Sequence, residues 1–462
     1  MILKTKIIKN GLLIPIIVFA FLVSCQQKEK NITDKTGKTV LTETIADNQT
    51  GINDSTINYC FYLPKAYNGI AKLPVVLFFD PHADGKTPIE KYASLANKYG
   101  YIFIASNNIK NGQPASFTHN IFTKLIHEVK HRFVIDEKRL FTAGFSGGAK
   151  LATVFTQQMP EIIGVIACGG NLPLVNNYKP NYYYAGIVGN EDFNFLEAHQ
   201  TFSAFDQEGF DYTSVIFDGG HKWPPVASFE MGLIGFNIYA IKLKRTQKDE
   251  KWLDGVWQKM NDSIVLFSKN GNPIKENVYL RQTMRWFYGL KNIKEISKQI
   301  YAVENSNLFI THAKKRQQLI RKEVQLRSEF IRAIELRDLE WWNTEIASFN
   351  ESINQNNREV VLVTKRLLNY LSMVSFMLTK TDLDDARLDN AVKKLKIYEL
   401  VDADNPDVYL MYARYYMLLN DVEAMKQNFK KAQELGFKDY NIYKNDASWK
   451  TLFEREDIKN LM

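Results

Sequence analysis

Residues 139–152 read RLFTAGFSGGAKLA: an apolar run of strand composition, a serine bracketed by glycines, then small residues suited to a helix. Gly144-Phe145-Ser146-Gly147-Gly148 fits the pattern Gly-x-Ser-x-Gly. A strand that delivers a serine onto a sharp turn, with a helix leaving directly from it, lifts the hydroxyl above the edge of a sheet. A side chain at 144 or 148 would collide with so tight a turn. The pattern alone is common, so the surrounding segments decide what it means.

Between about 55 and 245, short apolar runs alternate with amphipathic stretches. NYCFYL (58–63), PVVLFF (74–79), YIFIAS (101–106), RLFTAGF (139–145), GVIACG (164–169), YYYAGIVG (182–189) and TSVIFDG (213–219) read as strands. Most are continuous rather than alternating, as expected of strands buried on both faces. Helices are expected near 88–99, 117–132, 147–158, 194–207 and 225–243. Strand and helix in turn predict a doubly wound, mostly parallel α/β sheet.

A serine nucleophile needs a base, and the base needs an orienting acid. Of seven histidines in the chain, His221 follows the last strand of the sheet in a glycine- and proline-rich loop, VIFDGGHKWPP. Asp192 lies just past the preceding strand in AGIVGNEDFNF, with Glu191 as its competitor. Asp218 is too near His221 along the chain to orient it. The order Ser146, Asp192, His221 suits three loops at the carboxyl edge of one sheet. The Gly147 backbone N–H is expected to face the oxygen of a bound carbonyl. Trp223, beside the histidine, is a candidate wall of a substrate pocket or, equally, a packed anchor of its loop.

On GFSGGA and GGHKWP, residues 55–245 resemble an α/β-hydrolase, nearest the secreted esterases grouped with polyhydroxybutyrate depolymerases and feruloyl esterases. The resemblance covers about two fifths of the chain. It implies an acyl-enzyme mechanism with Ser146, Asp192 and His221 as triad and a second oxyanion donor on the loop after the third strand. Where that group carries His-Gly, this chain reads Asp80-Pro81-His82-Ala83-Asp84-Gly85. Pro81 has no N–H, which leaves the backbone of His82 or Ala83. The altered loop leaves the substrate class open.

A competing motif, HEVKH at 127–131, matches the zinc-protease pattern His-Glu-x-x-His. At helical spacing Ile121, Phe122, Leu125, Val129 and Phe133 gather on one face. His127 and His131 fall opposite, among lysines, whereas a catalytic zinc needs a dry cleft and a third protein ligand. The expected chemistry needs no metal and no cofactor. Cys60 and Cys168 lie in apolar, strand-like segments and read as buried hydrophobes; whether they pair stays open.

The first residues read as an address. Lys4, Lys6 and Lys9 precede an uncharged apolar stretch, Gly11 to Ser24, which is shorter than the roughly 20 residues of a membrane span. Leu22-Val23-Ser24-Cys25 resembles the bacterial lipobox, which implies a signal peptide at 1–24, lipidation of Cys25 and an exported protein held on a bacterial membrane, the outer membrane being expected. Residues 25–50 then read as a flexible polar tether and 51–245 as the hydrolase domain.

The second half has a different pattern. From Leu290 to Asn405 there is neither glycine nor proline, and an all-α helical-repeat domain is expected over 251–462, joined by the charged linker KRTQKDEK (244–251). Residues 251–290, with Trp252, Trp257 and Trp286, could belong to either half. Tyr409, Tyr412, Ala413, Tyr416, Met425, Phe429 and Ala432 fall at tetratricopeptide spacing within 372–438, a surface that could take a protein partner. The tail ELGFKDYNIYKNDASWKTL also resembles the close of such proteins. Formal charge is +8 over 462 residues with no nucleic-acid motif beside it. The basic run KKRQQLIRK (314–322) reads as a solvated helix face.

Together these features predict a lipid-anchored serine hydrolase acting on a small-molecule, glycan or polymer ester. Two alternatives stay open: a serine peptidase of the prolyl-oligopeptidase kind, and a non-catalytic lipoprotein whose helical half binds a partner.

Overall fold

The continuous apolar runs of the first half are strands, covered on both sides except at the edge strand that carries the exposed Ile216. A computed structural model describes residues 32–172, 180–354, 356–438 and 447–462. The strands are β1 (Ile32–Thr33), β2 (Thr39–Val40), β3 (Ile45–Thr50), β4 (Asn58–Tyr62), β5 (Leu73–Phe79), β6 (Ile102–Ser106), β7 (Ile135–Phe145), β8 (Ile162–Cys168), β9 (Tyr183–Gly189) and β10 (Tyr212–Phe217). β3 to β10 form one eight-stranded sheet in the order β10-β9-β8-β7-β5-β6-β4-β3. The β3, β4 and β6 pairings are antiparallel; those from β6 through β5 to β10 are parallel. The expected doubly wound α/β sheet is present.

Helices α1 (Lys86–Tyr99), α2 (Ala115–Arg132), α3 (Gly147–Gln158), α4 (Phe195–Glu208) and α5 (Val226–Lys242) connect the strands. Period-two alternation assigns each strand residue to a layer. Val75, Leu77 and Phe79 of β5 pack with α2, α3 and α4, whereas Val76 and Phe78 pack with α1 and α5. Apolar side chains fill both faces of the central strands, and the buried hydroxyl of Thr142 on β7 is satisfied by the Ala152 carbonyl and Thr156 Oγ1.

Among the described residues the second half is all-α: α6 (Glu250–Lys269), α7 (Pro273–Phe287), α8 (Lys294–Glu304), α9 (Asn307–Leu336), α10 (Leu339–Ile353), α11 (Arg358–Asp384), α12 (Leu388–Val401), α13 (Pro406–Leu418) and α14 (Val422–Glu434), then two short helices. Asp249, Asn272, Ser306, Asp338, Asn405 and Asp421 cap six of these helices by accepting a backbone N–H of the first turn, as short polar side chains do at helix starts. The tetratricopeptide-spaced residues Tyr412, Ala413, Met425, Phe429 and Ala432 share one core between α13 and α14. Residues 439–446 of the tail lie outside the described residues.

Three expectations change. The tether of 25–50 is folded from residue 32 onward. Ile45 and Ala46 bring β3 into register with Tyr62 and Phe61 of β4, and Asp34 is buried against the Arg132 guanidinium at 3.0 Å. Although burial opposes ionisation of Asp34, hydrogen bonds from Thr36, Arg132 and Lys38 hold its carboxyl below the usual carboxylate range. The boundary at 245–251 marks a change of secondary structure without a break in packing. Leu253, Val256 and Met260 of α6 and Trp286 and Phe287 of α7 belong to the same core as Phe229 and Phe236 of α5. Trp286 Nε1 also donates to Tyr183 Oη of β9 at 2.7 Å. Finally, the run at 314–322 is not solvated throughout, because Arg316 is half-buried beside the hydrolase half. Cys25 and the signal segment lie outside the described residues.

Candidate active site

Ser146 is the turn between β7 and α3, and its backbone is strained: φ is 54° and ψ −122°. A non-glycine residue held there costs about 1–3 kcal/mol. Both flanking glycines are required by close approach. A Cβ at Gly144 would run into the carbonyl of Gly148, and one at Gly148 into the carbonyl of Phe79. The Ser146 N–H donates to the Cys168 carbonyl at 2.8 Å, tying the turn to β8.

The three sequence-predicted partners meet here. Ser146 Oγ stands 2.9 Å from His221 Nε2. His221 Nδ1 lies 3.0 Å from both carboxylate oxygens of Asp192. Facing a carboxylate, Nδ1 carries the hydrogen, which leaves the Nε2 lone pair to accept from the serine hydroxyl. The rings of Phe145 and Phe193 flank the imidazole at centroid distances of 4.6 and 4.2 Å.

Asp192 is buried and also accepts the Asn194 N–H at 2.8 Å. Glu191 points elsewhere: its carboxylate pairs with Lys365 at 2.9 Å. Asp218 pairs with Arg358 at 2.9 Å and is exposed.

The second half of the chain holds the loop that carries Asp192. Arg366 donates to the Asn190 carbonyl at 2.9 Å, Asn369 to the Glu191 carbonyl at 2.8 Å, and Arg327 to the Phe193 carbonyl at 2.8 Å. Arg366 and Arg327 are both ion-paired with Glu323, which is fully buried. Helices α9 and α11 therefore reach the loop through one charged network. Sequence reading missed these residues because arginine, asparagine and lysine on long helices look like a solvated face.

Two expectations for the neighbourhood are corrected. The His82 N–H is taken by the Asp80 carboxylate at 2.8 Å and the Ala83 N–H by the Asp80 carbonyl at 3.2 Å. Both amides assigned to the oxyanion are thus engaged in closing their own turn. Of the two readings of Trp223, the packed loop anchor holds and the pocket wall does not. The indole is buried against Phe78, Tyr92 and Phe145, and its Nε1 donates to Asp80 at 2.8 Å. Burial pushes the Asp80 carboxyl up, against the hydrogen bonds from Trp223 and the His82 N–H.

A different group stands over the turn. Asn111 is held by its backbone N–H on the Pro81 carbonyl at 2.9 Å. Its side-chain amide lies against Gly147: a Cβ on that glycine would overlap Oδ1 and come within 3.0 Å of Nδ2. The Gly147 N–H, at the first position of α3, has no partner within the helix.

The residues of HEVKH do not converge. His127 and His131 are exposed, while Glu128 turns inward to accept from Tyr59 Oη and the Ile52 N–H. Cys60 and Cys168 are free, buried thiols; burial pushes the Cys60 thiol up to about 12.

No protein-family model and no curated protein matches the chain. Among solved structures, it is similar to the S-formylglutathione hydrolase of Staphylococcus aureus at 14% identity and a TM-score of 0.33, over 41% of this chain and 96% of that one. A ferulic acid esterase matches at 18% identity and a TM-score of 0.33, over 42% and 96%. The acylaminoacyl peptidase of Pyrococcus horikoshii matches at 16% identity and a TM-score of 0.32, over 42% of this chain and 41% of that one.

Proposed function

We propose that this chain is a serine hydrolase that cleaves carboxylic esters through an acyl-enzyme. The observation that carries the reading is the unbroken series from Ser146 Oγ through His221 to Asp192, with steps of 2.9 and 3.0 Å, on a strained strand-to-helix turn. A histidine poised between a hydroxyl and a buried carboxylate is the arrangement that proton removal from serine requires.

In this mechanism His221 Nε2 takes the proton from Ser146 Oγ as the oxygen attacks the ester carbonyl carbon. The Gly147 N–H and the Asn111 side-chain amide donate to the oxyanion that forms. His221 returns the proton to the departing alkoxide, giving the alcohol and an acylated Ser146. Water then attacks the acyl group by the same route and releases the acid. Asp192 keeps the imidazole in the required tautomer and stabilises its cation.

A fluorophosphonate probe tests this directly. Purified protein is expected to be labelled once per chain, with labelling abolished by Ser146→Ala. Absence of labelling in folded wild-type protein would overturn the reading. A panel of p-nitrophenyl acyl esters set against aminoacyl amides separates esterase from peptidase, with ester turnover expected to dominate.

The membrane address belongs to the same proposal. With Cys25 lipidated, the enzyme works at the surface of a bacterial membrane, and a clickable palmitate analogue is expected to label wild-type cells and not the Cys25→Ala variant. The α11–α14 region, with its tetratricopeptide-like spacing, is the proposed docking face for a protein partner.

A further inference from the structure

Where α4 and β10 face α7, α9 and α11, a cavity of about 1020 Å³ opens between the two halves. Neither Ser146 nor His221 lines it, and it meets the Asp192 loop at Asn190. Most of its wall is apolar, including Phe195, Phe202, Tyr279, Ile320 and Leu362.

Its charged lining is almost fully paired. Asp206 is held by Arg285 at 3.0 Å, Asp218 by Arg358 at 2.9 Å, Glu359 by Lys315 at 2.9 Å, and Arg366 by Glu323. Lys275 is exposed and sits over the Phe267 ring at 5.6 Å; Arg316 is the exception among the partly buried groups. It lines the same cavity, is half-buried, and has no hydrogen bond or ion pair to any described residue. Burial and the nearby Arg366 charge push its pKa down against the attraction of Glu359, whose carboxylate is engaged by Lys315, yet a guanidinium keeps its proton at neutral pH. His199, beside it, is held near 4 by burial and by Arg316 and Arg366, so it adds no charge there at neutral pH.

A partly buried cation with no ion pair in contact is costly unless something anionic completes it. A guanidinium offers a planar fork that matches a carboxylate with two parallel hydrogen bonds. The apolar walls favour a hydrocarbon or aromatic body behind that head.

We propose that this cavity binds an amphipathic carboxylate, with its head on Arg316 and its apolar body against Phe202, Tyr279 and Leu362. The site does not depend on whether Ser146 is a nucleophile.

Calorimetric titration of the full chain with octanoate, octanamide and octyl phosphate tests it. Octanoate is expected to bind once per chain, and octanamide about ten-fold or more weakly, the cost of losing a charge-assisted pair. Arg316→Gln should weaken octanoate about ten-fold, leave octanamide unchanged and keep fluorophosphonate labelling. Ser146→Ala should bind octanoate as wild type does, so failure of the hydrolase reading would leave this result standing. Equal affinity for octanoate and octanamide, no binding at millimolar octanoate, or loss of octanoate binding in Ser146→Ala would overturn the proposal. Tighter binding of octyl phosphate would overturn the carboxylate assignment. Should Arg316→Gln fail to fold, the octanoate-to-octanamide ratio on wild type still decides. Leu362→Trp, which fills the apolar part, should then weaken both ligands.

Discussion

The side-chain amide of Asn369, on α11, donates to the backbone carbonyl of Glu191, the residue before Asp192, at 2.8 Å. A residue in the second half of the chain thus fixes the backbone on which the acid of the proposed triad stands. Asn369→Ala removes one hydrogen bond and no charge, so stability should fall by about 1 kcal/mol. Turnover should fall by roughly ten-fold or more, because small misplacements of a catalytic group are costly. Steady-state kinetics beside a denaturant titration would check the split; equal loss of both, or unchanged turnover, would contradict it.

Asp192→Asn keeps the shape of the acid and removes its charge. The neutral amide no longer enforces Nδ1–H on His221, and kcat is expected to drop on the order of 10⁴-fold with KM little changed. Fluorophosphonate labelling should slow in parallel. Glu191→Gln, by contrast, should leave the rate within about three-fold, since it loses only a partly exposed ion pair with Lys365.

Asn111→Ala tests the oxyanion assignment. Losing one donor to the developing charge should lower kcat by about 10²–10³-fold with KM held. His82→Ala retains the backbone N–H at that position and should have little effect on either constant. If Asn111→Ala were as active as wild type, the second donor would have to be sought elsewhere.

Trp223→Phe keeps the aromatic packing and removes the N–H that Asp80 accepts. The buried carboxylate then loses a partner, a change worth about 1–3 kcal/mol of stability. The Asp80–Gly85 loop should loosen, and hydrogen exchange at the His82 and Ala83 amides would report it as faster protection loss.

His199 gives a pH signature. Its folded-state value, about 4, lies below the ordinary 6.5, with burial the first cause and Arg316 and Arg366 adding to it. Between those values the unfolded chain binds a proton that the folded chain refuses, so stability rises with pH across that window. His199→Asn should flatten this part of the stability curve, and the imidazole resonances of wild type should titrate near 4.

How much of this was readable from residues alone follows from where the information sits. The strands, the helices between them and the Ser146, Asp192 and His221 set were legible because each is written locally, as an apolar run or a short motif. β3 was not, since IADNQT carries only Ile45 and Ala46 as apolar signal and takes its structure from pairing with β4. The oxyanion loop was misread because nothing in the string DPHADG says that the Asp80 side chain will turn back on its own amides. Arg316, Arg327 and Arg366 were invisible for a similar reason. A charged residue on a helix announces its face, and only the docking of that face decides whether it meets water.

The core shared by α5, α6 and α7 has one last consequence. Residues 51–245 cannot be lifted out as a self-sufficient module, because Phe229, Phe236 and Tyr183 would lose the cover supplied by Leu253, Val256 and Trp286. A gene fragment ending near 245 should yield sticky, aggregating material, whereas one that keeps the first helical pair along with the sheet should stay dispersed.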